Sequence, residues 1–213
     1  SQYSYRRYYL THQFTPFNSE KFPFRIRHTV SHQGNKYYFQ QGTPEPFFFT
    51  QPTQLVVGFP LNTRKYSNNL SNTLSLVFDN KSFKLDAGVR YQNIKFGLNE
   101  SLLPNLGIPL ELSENRLGAL GNIQVKLFDK FQLNSFLEVS RGNAFGSYLK
   151  TTNNVKFEPI KDYFVDAHVN FQSAVPSFNY LANTSVYSRY NYYLQDAKNQ
   201  TVTDIGGSVN LKW

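Results

Sequence analysis

The 213 residues carry 22 Lys+Arg against 14 Asp+Glu, a net charge of +8, yet only 17% are charged, below the roughly 25% of ordinary soluble domains. Mean hydropathy is −0.48, and no run approaches the ~18 apolar residues of a membrane-spanning helix, so a helical membrane protein is excluded. The absence of cysteine excludes disulfides, thiol chemistry and Cys–zinc sites in this stretch.

Aromatic residues make up 17%, with 20 Phe and 15 Tyr against a single Trp. That excess suits the aromatic girdles of membrane β-barrels. In chain order, alternation of apolar and polar residues predicts about ten strands: 3–14, 22–41, 68–79, 82–96, 116–127, 131–141, 147–157, 163–173, 178–193 and 201–213. The run 82–96 is the clearest. Phe83, Leu85, Ala87, Val89 and Tyr91 fall on one face, and Lys84, Asp86, Gly88, Arg90 and Gln92 on the other. About 9–11 tilted residues cross a bilayer, so this run is long enough to do so.

Three short connections join strands. The loop 79–82 is expected to pair Phe78 with Phe83, 128–130 to pair Leu127 with Phe131, and 158–162 to set Phe157 opposite Tyr163. Two connections are long: 42–67, with four prolines and Phe47-Phe48-Phe49, and 97–115, rich in Leu. Their apolar residues suggest that they pack on something, with folding into a barrel one option. One unit over 1–213 is expected, with no second domain.

The fold class expected is all-β: an antiparallel, up-and-down transmembrane β-barrel. The lipid-facing set is Phe83, Leu85, Ala87, Val89, Tyr91, Ile123, Val125, Leu127, Val165, Val169 and Phe171. The lumen-lining charges are Arg25, Arg27, Lys84, Asp86, Arg90, Lys126, Glu138, Asp166 and His168. Rings of Arg and Lys favour anions in pores. Here Asp86, Glu138 and Asp166 face the same way, so salt-bridge networks are the plainer expectation, with Asp86 flanked by Lys84 and Arg90. Alternation alone also fits a soluble β-sandwich or a lipocalin-like barrel holding an apolar ligand.

Short turns lie in the periplasm in bacterial barrels, and long loops outside. With ten strands, that rule sends the last one outward and puts Trp213 at the extracellular end. A terminal aromatic belongs at the other end. The expectation is therefore an internal segment of a larger barrel, and the absence of Met and of a leader-like start agree with it.

Three stretches resemble the large porin family of Bacteroidota outer membranes. They are 24–39 (FRIRHTVSHQGNKYYF), Leu70–Leu76 followed by Phe83–Tyr91, and 165–180 (VDAHVNFQSAVPSFNY). The resemblance implies an outer-membrane channel, or a barrel subunit of an outer-membrane assembly, and a parent chain much longer than 213 residues. It carries over no catalytic residue.

No enzyme motif is present. His28 and His32 lie about 13 Å apart on a strand, too far to share a metal, and are placed toward the outer interface. His168 with Asp166 invites a hydrolase reading, but no serine has a distinctive setting. No catalytic residue, metal or cofactor is expected. The basic balance is read as scattered strand-end lysines rather than a nucleic-acid surface, because no basic run exceeds two residues. Outer-membrane lipid, lipopolysaccharide and other outer-membrane proteins are the expected partners. The leading function is passive diffusion of small polar solutes or ions. The alternative is a plugged scaffold subunit of a membrane complex.

Overall fold

The computed structural model describes residues 2–16, 23–41, 61–97, 111–128, 130–175, 182–183, 192–194 and 197–211. The strands are β1 (Gln2–Phe14), β2 (Phe24–Gln41), β3 (Leu61–Asp79), β4 (Phe83–Gly97), β5 (Glu111–Leu127), β6 (Phe131–Gly142), β7 (Ser147–Ile160), β8 (Tyr163–Ala174), β9 (Ala182–Asn183), β10 (Tyr192–Tyr193) and β11 (Gln200–Leu211). Nine of them form one open antiparallel sheet in the order β1-β2-β3-β4-β5-β6-β7-β8-β11. The sheet strands run 12 to 19 residues, well beyond the usual 5–6 or so. Among the described residues no helix is long and apolar enough to cross a membrane.

Several expectations are corrected. The segment 178–193 is not a strand of the sheet. Its described residues form a two-residue ladder, Tyr192 with Asn183 and Tyr193 with Ala182. The aromatics there, Phe178, Tyr180, Tyr187, Tyr190 and Tyr192, do not hold a period of two. Strand β8 pairs directly with β11, from Gln200↔Ala174 to Leu211↔Tyr163. One strand fewer reverses the direction of the last one. Strand β11 thus runs toward the end of the sheet that holds the connections 80–82, 128–130 and 161–162, so the outward last strand is overturned. Trp213 itself lies outside the described residues, as do 42–60 and 98–110 of the long connections. Strands β3 and β5 begin at Leu61 and Glu111, earlier than expected.

The register of β5–β6 is the expected one, with Leu127↔Phe131 and Ile123↔Ser135. Two others slip by two residues, which keeps every side chain on its face. In β3–β4 Phe78 meets Leu85 rather than Phe83. Asn80 sets that turn, its Oδ1 accepting from the Ser82 and Phe83 amides at 3.0 and 2.7 Å. In β7–β8 Phe157 meets Val165, and a bulge between Phe157 and Ile160 absorbs the offset. Pro159 lies in that bulge, where its missing N–H costs no ladder bond.

The two faces of this single layer differ sharply. The buried polar residues Ser71, Ser75, Glu114, Glu138 and Ser140 all lie on the polar face. On the opposite face Leu74, Leu76, Val89, Leu117, Leu137, Val139 and Val169 stand exposed. Within the belt, crowding follows the same division. A Cβ on Gly88, on the polar face, would come within 2.4 Å of the Leu74 carbonyl oxygen, whereas one on Gly121, on the apolar face, meets nothing within 4 Å. Side chains that crowd on one side and spread on the other mark a sheet curved around its polar face. Water-soluble folds bury the apolar face instead.

The apolar belt is edged by aromatics. At the short-turn end Phe24 lies 5.2 Å from Phe78, and Phe78 lies 6.0 Å from Phe83, between ring centroids. Eight residues on, the Tyr91 hydroxyl donates to Asn115 Oδ1 at 3.0 Å, and Asn93 Nδ2 donates to the same oxygen at 2.7 Å. From Phe83 to Tyr91 the belt rises about 20 Å for a strand tilted roughly 40°.

Candidate functional site

The sheet register brings all nine sequence-predicted charges onto the polar face. Phe83, Leu85, Ala87, Val89, Tyr91, Ile123, Val125, Leu127, Val165, Val169 and Phe171 lie together on the other. Most of the charges are paired across strands. Arg25 Nη2 lies 3.0 Å from Asp79 Oδ2, and Lys84 Nζ lies 3.2 Å from Asp79 Oδ1. Arg27 Nη2 pairs with Asp86 Oδ2. Arg90 Nη1 donates to Glu138 Oε1 at 2.9 Å, and its Nε donates to Thr73 at 3.3 Å.

Asp86 is therefore not held by its strand neighbours Lys84 and Arg90, as the sequence suggested. Residues two apart on one face are about 6.6 Å apart along the strand, while long Arg side chains reach diagonally across to strands further along the sheet. Arg27 comes from β2 to β4, and Arg90 from β4 to β6.

His168 Nε2 faces Asp204 Oδ2 at 3.3 Å, and Asn170 donates to the same oxygen at 3.0 Å. Asp166 instead accepts from Asn210 at 3.0 Å. The His168–Asp166 pair behind the hydrolase reading is not formed. His28 and His32 face outward: His28 stacks on His12 at 6.0 Å inside the apolar belt, and His32 stacks on Tyr8 at 6.3 Å. His32 lies level with Asn93, past the Tyr91 edge of the belt, and His28 level with Val89 inside it. Among the described residues no group of three or more potential ligands could hold a metal ion.

Sequence reading missed the polar centre at the far end. Glu114 is fully buried. Its Oε2 accepts from the Ala144 and Phe145 amides at 2.8 and 2.9 Å. Arg116 Nε lies 3.6 Å from Glu114 Oε1, and its guanidinium sits 5.2 Å from the centre of the Tyr148 ring. The short β6–β7 loop is thereby folded over β5. Asn115 N donates to Asn143 Oδ1 at 2.7 Å, Phe145 packs 6.5 Å from Phe96, and Gly146 adopts φ +69°. Gly142 is required here, since a Cβ would fall 1.3 Å from Glu114 Oε1. The signal was present: Leu112 and Glu114 extend upstream the every-second-residue series that Arg116 and Gly118 hold on the polar face.

Long antiparallel strands, an exposed apolar belt edged by aromatics and a polar, ion-paired opposite face define the wall of an outer-membrane-type β-barrel. The chain matches the model of the family described as "Putative porin" over residues 1–213, and it belongs to that family. Among solved structures it is similar to the crystal structure of the siderophore receptor PirA from Acinetobacter baumannii. The TM-score is 0.63 at 12% identity, over 99% of this chain and 33% of that one. At that identity the likeness is one of fold, and the chain spans about a third of the receptor's length. No curated protein matches it in sequence.

Proposed function

We propose that this chain forms part of the wall of an outer-membrane porin, and that small polar solutes or ions pass by diffusion along its polar face. The observation that carries the reading is the inverted distribution of side chains. Among the described residues the buried side chains are serines and glutamates, while leucines, valines, isoleucines and aromatics stand exposed. A belt of exposed Leu and Val is favourable against lipid, and a face of paired charges is favourable against water. Across the belt the inner strands are paired with a neighbour on each side, which suits a bilayer. On this reading outer-membrane lipid and lipopolysaccharide surround the belt, the chain is not an enzyme, and a Bacteroidota source fits the resemblance of 24–39 and 165–180.

Single-channel recording of the full-length protein in planar bilayers tests it. Discrete conductance steps are expected, and a protein that inserts without conducting contradicts diffusion. One observation favours the second reading, a plugged scaffold subunit. The β6–β7 loop is held over the polar face by Glu114 and by the Phe145–Phe96 contact, which narrows the path at that end.

A further inference from the structure

We propose that the short-turn end of the polar face carries a binding site for small oxyanions, phosphate or carboxylate, formed by Lys126, Lys130 and Lys156. The proposal rests on the diffusion reading for its use in transport, but the site stands on its own geometry. The three lysines line one recess of about 250 Å³ with Phe131, Gln132, Glu158 and Phe164.

The cations elsewhere on this face are largely occupied. Arg25 and Lys84 share Asp79, Arg27 holds Asp86, Arg90 holds Glu138, and Arg116 lies on Glu114. Among the described residues no carboxylate lies within ion-pair distance of Lys126, Lys130 or Lys156. Among the described residues two acids border the site, and each accepts a hydrogen bond from elsewhere. Glu158 Oε1 accepts from the Asp162 amide at 3.0 Å, and Asp166, cross-strand from Lys156, accepts from Asn210.

Lys156 is held over the Phe164 ring at 4.3 Å. That contact fixes its position and leaves ammonium protons directed away from the ring. Among the described residues three lysines stand against two carboxylates, Glu158 and Asp166, across this recess and the one beside it, so the lining is net positive, and a curved, low-dielectric wall strengthens its field. A second recess of about 320 Å³ adjoins it through Gln132 and Lys156, lined also by Asn134, Asn154, His168 and the carboxylate of Asp166. These amides can donate to the remaining oxygens of an anion.

The test uses the full-length protein in detergent, with inorganic phosphate as probe and ³¹P line broadening as readout. The parent protein and K84Q, which removes a lysine whose carboxylate keeps Arg25, should broaden the line equally. K126Q/K130Q/K156Q should bind about tenfold more weakly, since three charge contacts act together. K126R/K130R/K156R keeps the charge and should bind like the parent, which separates loss of the site from misassembly. A parent that leaves the line sharp, or a glutamine variant that binds as well as the parent, overturns the proposal. Anionic phospholipid co-purifying with the parent but not with the glutamine variant, without free-phosphate binding, assigns the lysines to headgroups and overturns the solute site.

Reversal potentials in a KCl gradient separate the two claims. Conductance without anion preference overturns the site as a selectivity element and leaves diffusion standing. Phosphate binding without conductance upholds the site and contradicts diffusion.

Discussion

Strand β4 presents two surfaces built under opposite rules. On one, Val89 and Tyr91 stand exposed with nothing packed over them. On the other, Gly88 abuts the β3 backbone and Arg90 reaches two strands away to Glu138. The lesson is that the polar face is the constrained one. Apolar residues facing lipid need only be apolar, because lipid adapts to their shape. Charged side chains on a curved wall need partners at fixed distances, so volume and charge count are both restricted there. A contrast also runs around the sheet. The belt is uninterrupted over the middle of β4, whereas β1 and β2 place His12 and His28 in it.

The largest way to break the comparison is to put charge on the apolar face. Val89→Arg should cost about 2–4 kcal/mol of membrane stability. Gln92→Arg, on the polar face, should cost little. Equal unfolding midpoints of the two variants in lipid vesicles would overturn the face assignment.

Next comes the loss of a partner on the constrained face. Arg90→Met strands the Glu138 carboxylate, whose side chain is only 10% exposed, and should cost about 2–3 kcal/mol. Adding Glu138→Gln should recover much of it, and urea unfolding of the single and double variants measures the coupling. Overpacking follows. Gly88→Val should destabilise by about 1–3 kcal/mol, while Gly121→Val, facing open space, should be near neutral by the same assay. The smallest effect is expected for Lys84→Gln, below about 1 kcal/mol, because Asp79 retains Arg25.

Much of this was legible because alternation survives errors of register. The expected hairpins at 79–82 and 158–162 were misaligned by two residues, yet Phe78 and Leu85, or Phe157 and Val165, still share a face. Period two fixes the side of the sheet and leaves the partner open. Asp86 shows the limit: its strand neighbours Lys84 and Arg90 looked like its partners, but the strand spacing and the reach of Arg27 from β2 decide otherwise. Glu114 was hidden for another reason. Its strand was begun too late, inside a Pro- and Leu-rich connection, and its function in holding a loop depends on two backbone amides that carry no residue signature. The segment 178–193 failed because aromatic richness resembled a strand while the period had already broken. That one false strand reversed the direction of the last.

The central claim is that the polar face of β4 meets water while the opposite face meets lipid. The 213 residues contain no cysteine, so single cysteines can be placed at 84, 85, 89, 90, 91 and 92 of a full-length protein in which any cysteine outside this stretch is first replaced by serine. Each variant is reconstituted in vesicles and exposed to a membrane-impermeant maleimide under conditions that reach both sides. Rapid labelling at 84, 90 and 92 with protection at 85, 89 and 91 is the predicted result. Uniform labelling, or the inverse alternation, would contradict the account.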